Sequence, residues 1–377
     1  MAKLSYTELK SLVSSVVTAA KVSNGTFSVT RDNVVGLVDK IGKLVTLDTV
    51  YQIDKLSAFD GEYLSFGKTI EEWNQDLILP QSYDSTGAGA LSPNDPTYRP
   101  NFYSYTIGRK VIKTTLRNND IERAVHFMDQ FIEITSLQVK RLSDSMAAYR
   151  YQVKREMLAR FCDLVEACYA AGVAVFATAT AYTEGTLLKD NATPTEWGIV
   201  VKAIPSSPAI ANWAAAKAGG YIIVYSLKSE LAQPTDDSTG EAFIEEVKKV
   251  VEQAGDLSEG NSLNGNTLGG SEEAGLVLVC KQKVFPALRV KTIAGAFNKE
   301  QIAIPAQVVV IPDFGDADDD IYAMLVDRRI MRLHNTYRAV RENMNGQGDF
   351  LNYFFHSENT AHVSRNCYVK VYMVPQS

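Results

Sequence analysis

The longest regular pattern in the chain lies between Met128 and Ala171, where small and apolar residues recur every three or four positions. This spacing places them on one face of an α-helix. Charged residues such as Lys140 and Arg150 occupy the other faces, and Gly172 supplies a stop signal. About forty residues at 1.5 Å each would form a helix of roughly 60 Å. Because strict heptads do not extend beyond two repeats, the pattern predicts one long helix rather than a coiled coil.

The region from about 55 to 112 has almost no helical periodicity, and Gly, Pro, Ser and Asn accumulate between 81 and 101. Extended-looking arms flank this stretch, around 50–70 and 102–115. A structureless loop of this length would be unusual in a compact domain. The pattern therefore predicts a two-stranded excursion from the body of the protein. Upstream, two short amphipathic stretches predict helices over 5–21 and 33–46.

Residues 195–325 show a mixed α/β pattern, and the end of the chain alternates polar and apolar residues as strands do. A polar loop is predicted over 256–273, Glu245 and Lys249 are spaced for an ion pair, and Gly255 ends the second helix. The predicted helices are Ser207–Lys217, Thr239–Ala254 and a stretch near 284–297. The predicted strands are Tyr221–Tyr225, Leu276–Cys280, Gln307–Ile311, Phe350–Phe355 after a turn at Asn345–Gly348, and a final strand over 363–373.

Length and composition narrow the class of protein. A chain of 377 residues suggests two or three domains, or one domain with large extensions. Its 46% hydrophobic and 22% charged residues are typical of soluble globular proteins. The net charge of −6 argues against a dedicated nucleic-acid binder. We expect no membrane span, because no apolar run reaches about 18 residues. We also expect no signal peptide, and the four scattered cysteines fit a reducing compartment.

Three stretches suggest chemistry, and none satisfies its motif. Gly67-Lys68-Thr69 ends like a phosphate-binding loop, but five residues rather than four separate it from Gly61. The acidic stretch 313–320 fits neither a kinase nor an EF-hand motif, so we interpret it as a solvated loop, with a chance cation site as the alternative. His356 and His362 are weighed as zinc ligands against ordinary surface or core residues. We predict no catalytic residues, no metal and no cofactor.

Several segments together resemble a known family. They are LVDKIGKLV (37–45), FGKTIEEWNQDL (66–77), the long predicted helix, LVDRRIMRLHNTYRAVRENMNGQGDFLNYFFH (325–356) and HVSR (362–365). In their order and spacing they are similar to the major capsid protein of small short-tailed bacteriophages of the picovirus type, which have the Hong Kong 97 capsid fold. The resemblance covers about half of the chain, and the 180–300 region matches only in predicted layout.

The resemblance implies an α+β fold of the Hong Kong 97 type, with parts that follow one another along the chain. These are an N-terminal arm (1–54), an extended E-loop hairpin (55–115), a P-domain with the long spine helix (116–195), an α/β A-domain (196–325) and the C-terminal P-domain strands (326–377). Some relatives crosslink a lysine of one subunit to an asparagine of another. Neither Lys68 nor any asparagine of this chain can be aligned to that chemistry, so we predict no crosslink. We also expect no additional immunoglobulin-like domain.

By the same resemblance the chain is a structural protein that assembles as pentamers and hexamers into an icosahedral shell around double-stranded DNA. The expected partners are further copies of itself, a portal, and in addition scaffolding, minor capsid or head-fibre proteins. The DNA would be enclosed without sequence-specific binding, in a virion assembled in the bacterial cytoplasm. Two alternatives stay open: an encapsulin-like compartment of the same fold, and an unrecognised α/β enzyme.

The E-loop is the segment that the resemblance places on a neighbouring subunit. Aromatic side chains there offer apolar contacts, and charged ones offer ion pairs each worth under about 1 kcal/mol when exposed. The predicted interface residues are Tyr63, Phe66, Lys68, Glu71, Glu72 and Trp73.

Overall fold

The computed structural model describes residues 54–64, 69–75, 83, 85–87, 98–103, 105–117, 128–257, 259–265, 275–284, 306–314 and 320–375. The predicted helices over 5–21 and 33–46, and all but the first residue of the one near 284–297, lie outside these residues. The helices within them are α1 (Met128–Ala167), α2 (Trp213–Ala218) and α3 (Asp237–Ala254). The strands are β1 (Asp60–Tyr63), β2 (Ile70–Gln75), β3 (Tyr98–Tyr103), β4 (Thr106–Arg117), β5 (Ala174–Val175), β6 (Leu187–Lys189), β7 (Trp197–Val200), β8 (Ile222–Val224), β9 (Lys228–Glu230), β10 (Leu276–Lys281), β11 (Gln307–Ile311), β12 (Ile321–Asp327), β13 (Met331–Asn345), β14 (Phe350–Val363) and β15 (Val369–Met373).

These elements form a mixed α+β fold, as predicted. The described strands make four sheets, with the orders β1-β13-β14-β4, β11-β10-β12-β15-β9, β2-β3 and β5-β6-β7-β8. The chain divides into two compact units. The first unit comprises Met1–Lys68, Ser104–Lys154 and Leu333–Ala361, and the second comprises Thr69–Tyr103, Arg155–Arg332 and His362–Ser377.

The predicted long helix is confirmed as α1, which runs for 40 residues. Its apolar stripe is buried at the predicted spacing, with Val153, Met157, Phe161 and Val165 following one another at intervals of four. The helix tightens at its end, where the amide of Cys168 donates to the carbonyl of Val165. Three-residue closures of this kind satisfy carbonyls that a helix end would otherwise leave without partners.

The sheet of the first unit is built on a long hairpin. The predicted turn is confirmed: the side-chain oxygen of Asn345 accepts hydrogen bonds from the amides of Gln347 (3.1 Å) and Gly348 (3.0 Å). Beyond the turn, β14 continues to Val363, eight residues past the end predicted at Phe355. Strand β4 pairs antiparallel with β14, and β1 pairs parallel with β13.

The second unit holds the α/β elements. Helix α3 and the central strands of the five-stranded sheet share one buried cluster, in which Phe243 packs edge-on against Tyr372 at 5.1 Å between ring centroids. Strands β10 and β12 are buried along their whole length. Residue Asp236 begins α3 through a capping box, and Gly255 ends it as predicted. The smaller sheet β5-β6-β7-β8 packs with α2 around Trp213.

Four sequence predictions need correction. Helix α2 begins at Trp213 rather than Ser207, because the side chain of Asn212 caps it by accepting from the amide of Ala215. Lysine 249 lies 3.6 Å from Glu246 instead of pairing with Glu245, since residues three apart on a helix are also neighbours.

The other two corrections concern strands. The final strand is interrupted over 364–368, where the hydroxyl of Ser364 accepts from the amide of Asn366 and turns the chain. In the part of 50–115 that the structure describes, the strands that pair with each other are β2 and β3, whereas β1 and β4, on the two predicted arms, belong to the sheet of the first unit.

Candidate subunit-contact site

Strand β1, which leads to the predicted interface residues, is held by a buried ionic cluster within the first unit. The ammonium of Lys154 is fully buried, contacts Asp54, and lies 2.6 Å from Asp60. The guanidinium of Arg150 is 2.6 Å from the same Asp60 oxygen and donates to Asn359 at 3.2 Å. Buried charges of this kind persist only when they are paired.

The cluster sets the ionisation of Asp60. Burial on its own would raise the pKa of this carboxyl. The positive charges of Lys154 and Arg150, and their hydrogen bonds, outweigh burial and hold the pKa of Asp60 below its usual value. The carboxylate therefore stays charged and fixes the start of β1 against α1.

Gly61 is explained by packing and not by phosphate binding. It lies within β1, where a Cβ atom at this position would come within 2.6–2.8 Å of the ring of His334. The ring nitrogen Nδ1 of His334 in turn lies 3.2 Å from the carbonyl of Glu62. A residue with a side chain at position 61 would displace this histidine.

Four of the six predicted interface residues lie in the described part of the chain. Tyr63 at the end of β1 is 56% exposed, and Trp73 on β2 is 64% exposed. Glu71 is also exposed, whereas Glu72 is half-buried. The remaining two, Phe66 and Lys68, lie outside the described residues.

Glu72 has partners inside its own subunit. Its oxygen Oε2 accepts hydrogen bonds from the hydroxyl of Ser364 (2.9 Å) and from the side-chain nitrogen Nδ2 of Asn366 (3.0 Å), both in the second unit. Its oxygen Oε1 is 3.8 Å from Nε2 of His362. Alternate residues of a strand point to opposite faces. Glu72 therefore anchors one face of the β2–β3 hairpin, and Glu71 and Trp73 share the opposite, exposed face.

A second exposed feature was missed from the sequence. Arg109, Lys113 and Arg117 on β4 are exposed, and we call them the cationic strip. Lys113 lies over the ring of Phe354, with its nitrogen 5.8 Å from the ring centroid, and Arg109 lies 4.1 Å from the centroid of Tyr337. The signal was present in the sequence, because a spacing of four residues in an extended strand keeps side chains on one face.

The acidic stretch has a structural partner where it is described. Asp313 at the start of the acidic stretch forms an ion pair with Arg155, and residues 315–319 are not described. Burial raises the pKa of the Cys168 and Cys367 thiols to about 11. Within the described residues, no group of three or more His, Cys, Asp or Glu is arranged to hold a metal ion. In that same part of the chain, no helix is long and apolar enough to span a membrane.

Comparison with solved structures identifies the fold of the protein. The capsid structure of Staphylococcus phage Andhra matches with a TM-score of 0.55 at 12% sequence identity, over 86% of this chain and 84% of that one. The capsid of cyanophage P-SCSP1u matches with a TM-score of 0.46 at 10% identity, over 85% and 87%. The first of these shows that the chain has the fold of a phage capsid subunit.

The family follows from the sequence. The family model described as "Phi29-like phage major capsid protein" matches residues 5–196 and 229–369. The chain therefore belongs to this family and is a structural subunit of a bacteriophage capsid. Among curated proteins, none matches this sequence. The predicted capsid function, the absence of enzymatic activity and the place in the virion are confirmed by this membership.

Proposed function

We propose that the chain builds an icosahedral shell of pentamers and hexamers around double-stranded DNA, with a Hong Kong 97-type subunit. In this proposal residues 1–54 form the N-terminal arm and 55–115 the E-loop. The P-domain comprises 116–195, with α1 as the spine helix, and 326–377, and the A-domain comprises 196–325. The forty-residue helix and the long strands β13 and β14 support this arrangement. Portal, scaffolding, minor capsid and head-fibre proteins are the partners proposed beside the shell itself, which would be assembled in the bacterial cytoplasm.

The observation that carries the assembly proposal is the two-faced hairpin. Glu72 ties β2 to residues of its own subunit, while Trp73 beside it is 64% exposed. A large exposed aromatic side chain on a fixed strand is what a subunit contact requires, because aromatic anchors dominate interface energies. We therefore propose that Tyr63, Glu71 and Trp73 contact a neighbouring subunit, together with Phe66 and Lys68. The intrasubunit bonds of Glu72 give this residue an anchoring role beside that contact.

The experiment is to replace Trp73 by alanine in the full chain and measure shell yield by sedimentation and negative-stain microscopy. Shell yield is expected to fall while the circular dichroism of the subunit is unchanged, since the side chain is exposed in the isolated subunit. The matched control is Leu257→Ala, which removes another apolar side chain of the second unit that is 66% exposed. Equal shell yields from the two variants would refute the proposed contact.

A broader variant tests the hairpin as a whole. Replacing Thr69–Tyr103 with a short Gly–Ser linker is expected to leave a folded subunit that does not assemble. Normal shells from this variant would overturn the role of the hairpin in assembly. Denaturing gels of wild-type shells are expected to show single chains, in line with the proposed absence of a crosslink, and covalent ladders would contradict it.

A further inference from the structure

We propose that the cationic strip of one subunit is the surface that receives the β2–β3 hairpin of a second copy. The inference rests on the proposed function, because it assumes that the hairpin contacts a neighbour. Beyond that function, it specifies the surface of the neighbour that the hairpin contacts and the charged residues that form the contact. The supporting observation is a complementary arrangement of side chains. A carboxylate and an indole on the hairpin match an ammonium and a valine side chain on β4.

The strip lies on the face of the sheet that α1 does not cover. Residues directly opposite each other in an antiparallel pair share a face. Lys113 is opposite Phe354 and Arg117 is opposite Phe350, and both phenylalanines are only half-buried. The odd-numbered residues of β14 are buried from Leu351 to Asn359, and Asn359 accepts a hydrogen bond from Arg150 of α1.

The strip is positively charged on a chain whose net charge is −6. Arg109 is partly neutralised by Glu358, at 3.4 Å. Lys113 and Arg117 are exposed beyond it. Between Arg109 and Lys113, Val111 is 47% exposed, so the strip carries an apolar position beside its cations.

The hairpin presents the complementary pattern. Glu71 and Trp73 are both exposed and lie two residues apart on one face of β2. Lys113 and Val111 are also two residues apart on one face of β4. In both strands this spacing corresponds to about 6.6 Å. The carboxylate of Glu71 can thus lie against the ammonium of Lys113 while the indole of Trp73 lies against Val111.

This match favours a second copy over DNA as the occupant. A DNA phosphate backbone would pair with the cations of the strip. It would, however, place charged phosphates beside the apolar Val111 and would leave Trp73 without a contact. A contact between two different patches is heterologous and can close into rings of identical subunits. Such a ring is what a capsid subunit has to form.

The test is a charge exchange in the full chain. Glu71→Lys alone and Lys113→Glu alone are each expected to raise the subunit concentration needed for shell formation roughly fivefold, the value for about 1 kcal/mol per subunit contact. The double variant E71K/K113E is expected to return close to the wild-type value, because the pair is restored with its signs reversed. Assembly is measured under the conditions in which the wild-type chain forms shells.

Two control variants reverse a charge in the same way at exposed positions outside the proposed contact. Lys110 is exposed on the same strand but pairs with the buried Ser357, so Lys110→Glu places a reversed charge off the strip. Glu252 is exposed on α3, and Glu252→Lys matches the reversal of Glu71. Neither variant is expected to change assembly, and neither is expected to be rescued by a change at the other site. Circular dichroism of each variant confirms that it is folded.

The outcomes separate this inference from the function on which it rests. Loss of assembly in both single variants without rescue in the double variant would overturn the docking surface. If Lys113→Glu shells form normally and only their DNA content falls, the strip contacts DNA and the inference is wrong. If the chain without Thr69–Tyr103 still assembles, the hairpin contact itself fails, whatever the exchange shows.

Discussion

Removing the charge of Lys154 should destabilise the first unit, because it breaks the buried ionic cluster that holds β1. The change is Lys154→Met, which keeps most of the apolar stem and deletes the ammonium. In the folded chain this nitrogen lies 2.6 Å from Asp60, contacts Asp54 and donates to the carbonyl of Leu56 at 3.2 Å. Without it, two carboxylates and a carbonyl lose a partner at the buried start of β1.

The size of the effect follows from the burial of the partners. Breaking a fully buried ion pair by removing one member costs about 3–5 kcal/mol. The side chains of Asp54 and Asp60 are 17% and 39% exposed, so water can solvate them in part, and Asp60 keeps Arg150. We therefore expect a loss at the lower end, about 3 kcal/mol in the free energy of unfolding.

The assay is urea denaturation of the unassembled subunit followed by far-UV circular dichroism, with amide exchange over residues 54–64 as a local readout. The matched control is Arg160→Met on the same helix, where the side chain is exposed and the expected change is within about 0.5 kcal/mol. In a double-mutant cycle, adding Asp54→Asn should recover part of the loss, because it removes one of the uncompensated charges. A loss below about 1 kcal/mol for Lys154→Met would refute the assignment of this cluster as a structural anchor.

Three further predictions follow from the same contacts. The pKa of Asp60 is lowered in the folded chain, so the stabilising effect of its carboxylate is complete above the unfolded pKa of about 3.8 and is lost as the pH falls through the folded pKa. Urea titrations between pH 7 and pH 2 should show this loss of stability, and Asp60→Asn should remove that part of the pH dependence. Gly61→Ala should destabilise the first unit by about 1–3 kcal/mol, because its Cβ would collide with the ring of His334. The control is Gly108→Ala on β4, where no atom of the described residues lies within 4 Å of the added Cβ, and equal melting curves for the two variants would contradict the packing argument. Glu72→Ala should speed amide exchange across β2 in the isolated subunit, whereas Glu71→Ala should leave it unchanged; the reverse result would mean that the anchoring and exposed faces are wrongly assigned.

The sequence predicted the elements whose signal is local and repeated. Helix α1 was located from its apolar spacing, and α3 from its periodicity and its terminal glycine. Strands β10 and β11 appeared as short apolar runs and lie where they were predicted. In each case the side chains that form the pattern are the ones that the fold buries, so the pattern and the packing carry the same information.

The sequence could not predict features that depend on partners distant along the chain. The base of the excursion was assigned to a free hairpin, but β4 pairs with β14 more than two hundred residues later. The ionic cluster likewise joins Asp54 to Lys154 and Asp60 to Arg150, and nothing near any one of these residues identifies its partner. Glu72 looked equivalent to Glu71 in sequence, and the positions of Ser364 and Asn366, almost three hundred residues later, distinguish them.

The alternation of β2 supports the proposal that one short strand contacts both its own subunit and a neighbouring one. An exposed hairpin that was held by nothing would lose conformational entropy on docking, which lowers the affinity of every contact it makes. The bonds from Ser364 and Asn366 to Glu72 hold β2 before it meets a partner, so that part of this cost is met within the folded subunit. Glu71 and Trp73 are then presented in a fixed register. In the proposed assembly each subunit would repeat the same contact, so that a small gain per hairpin would be multiplied around every ring and individually weak exposed pairs would be enough to build a shell.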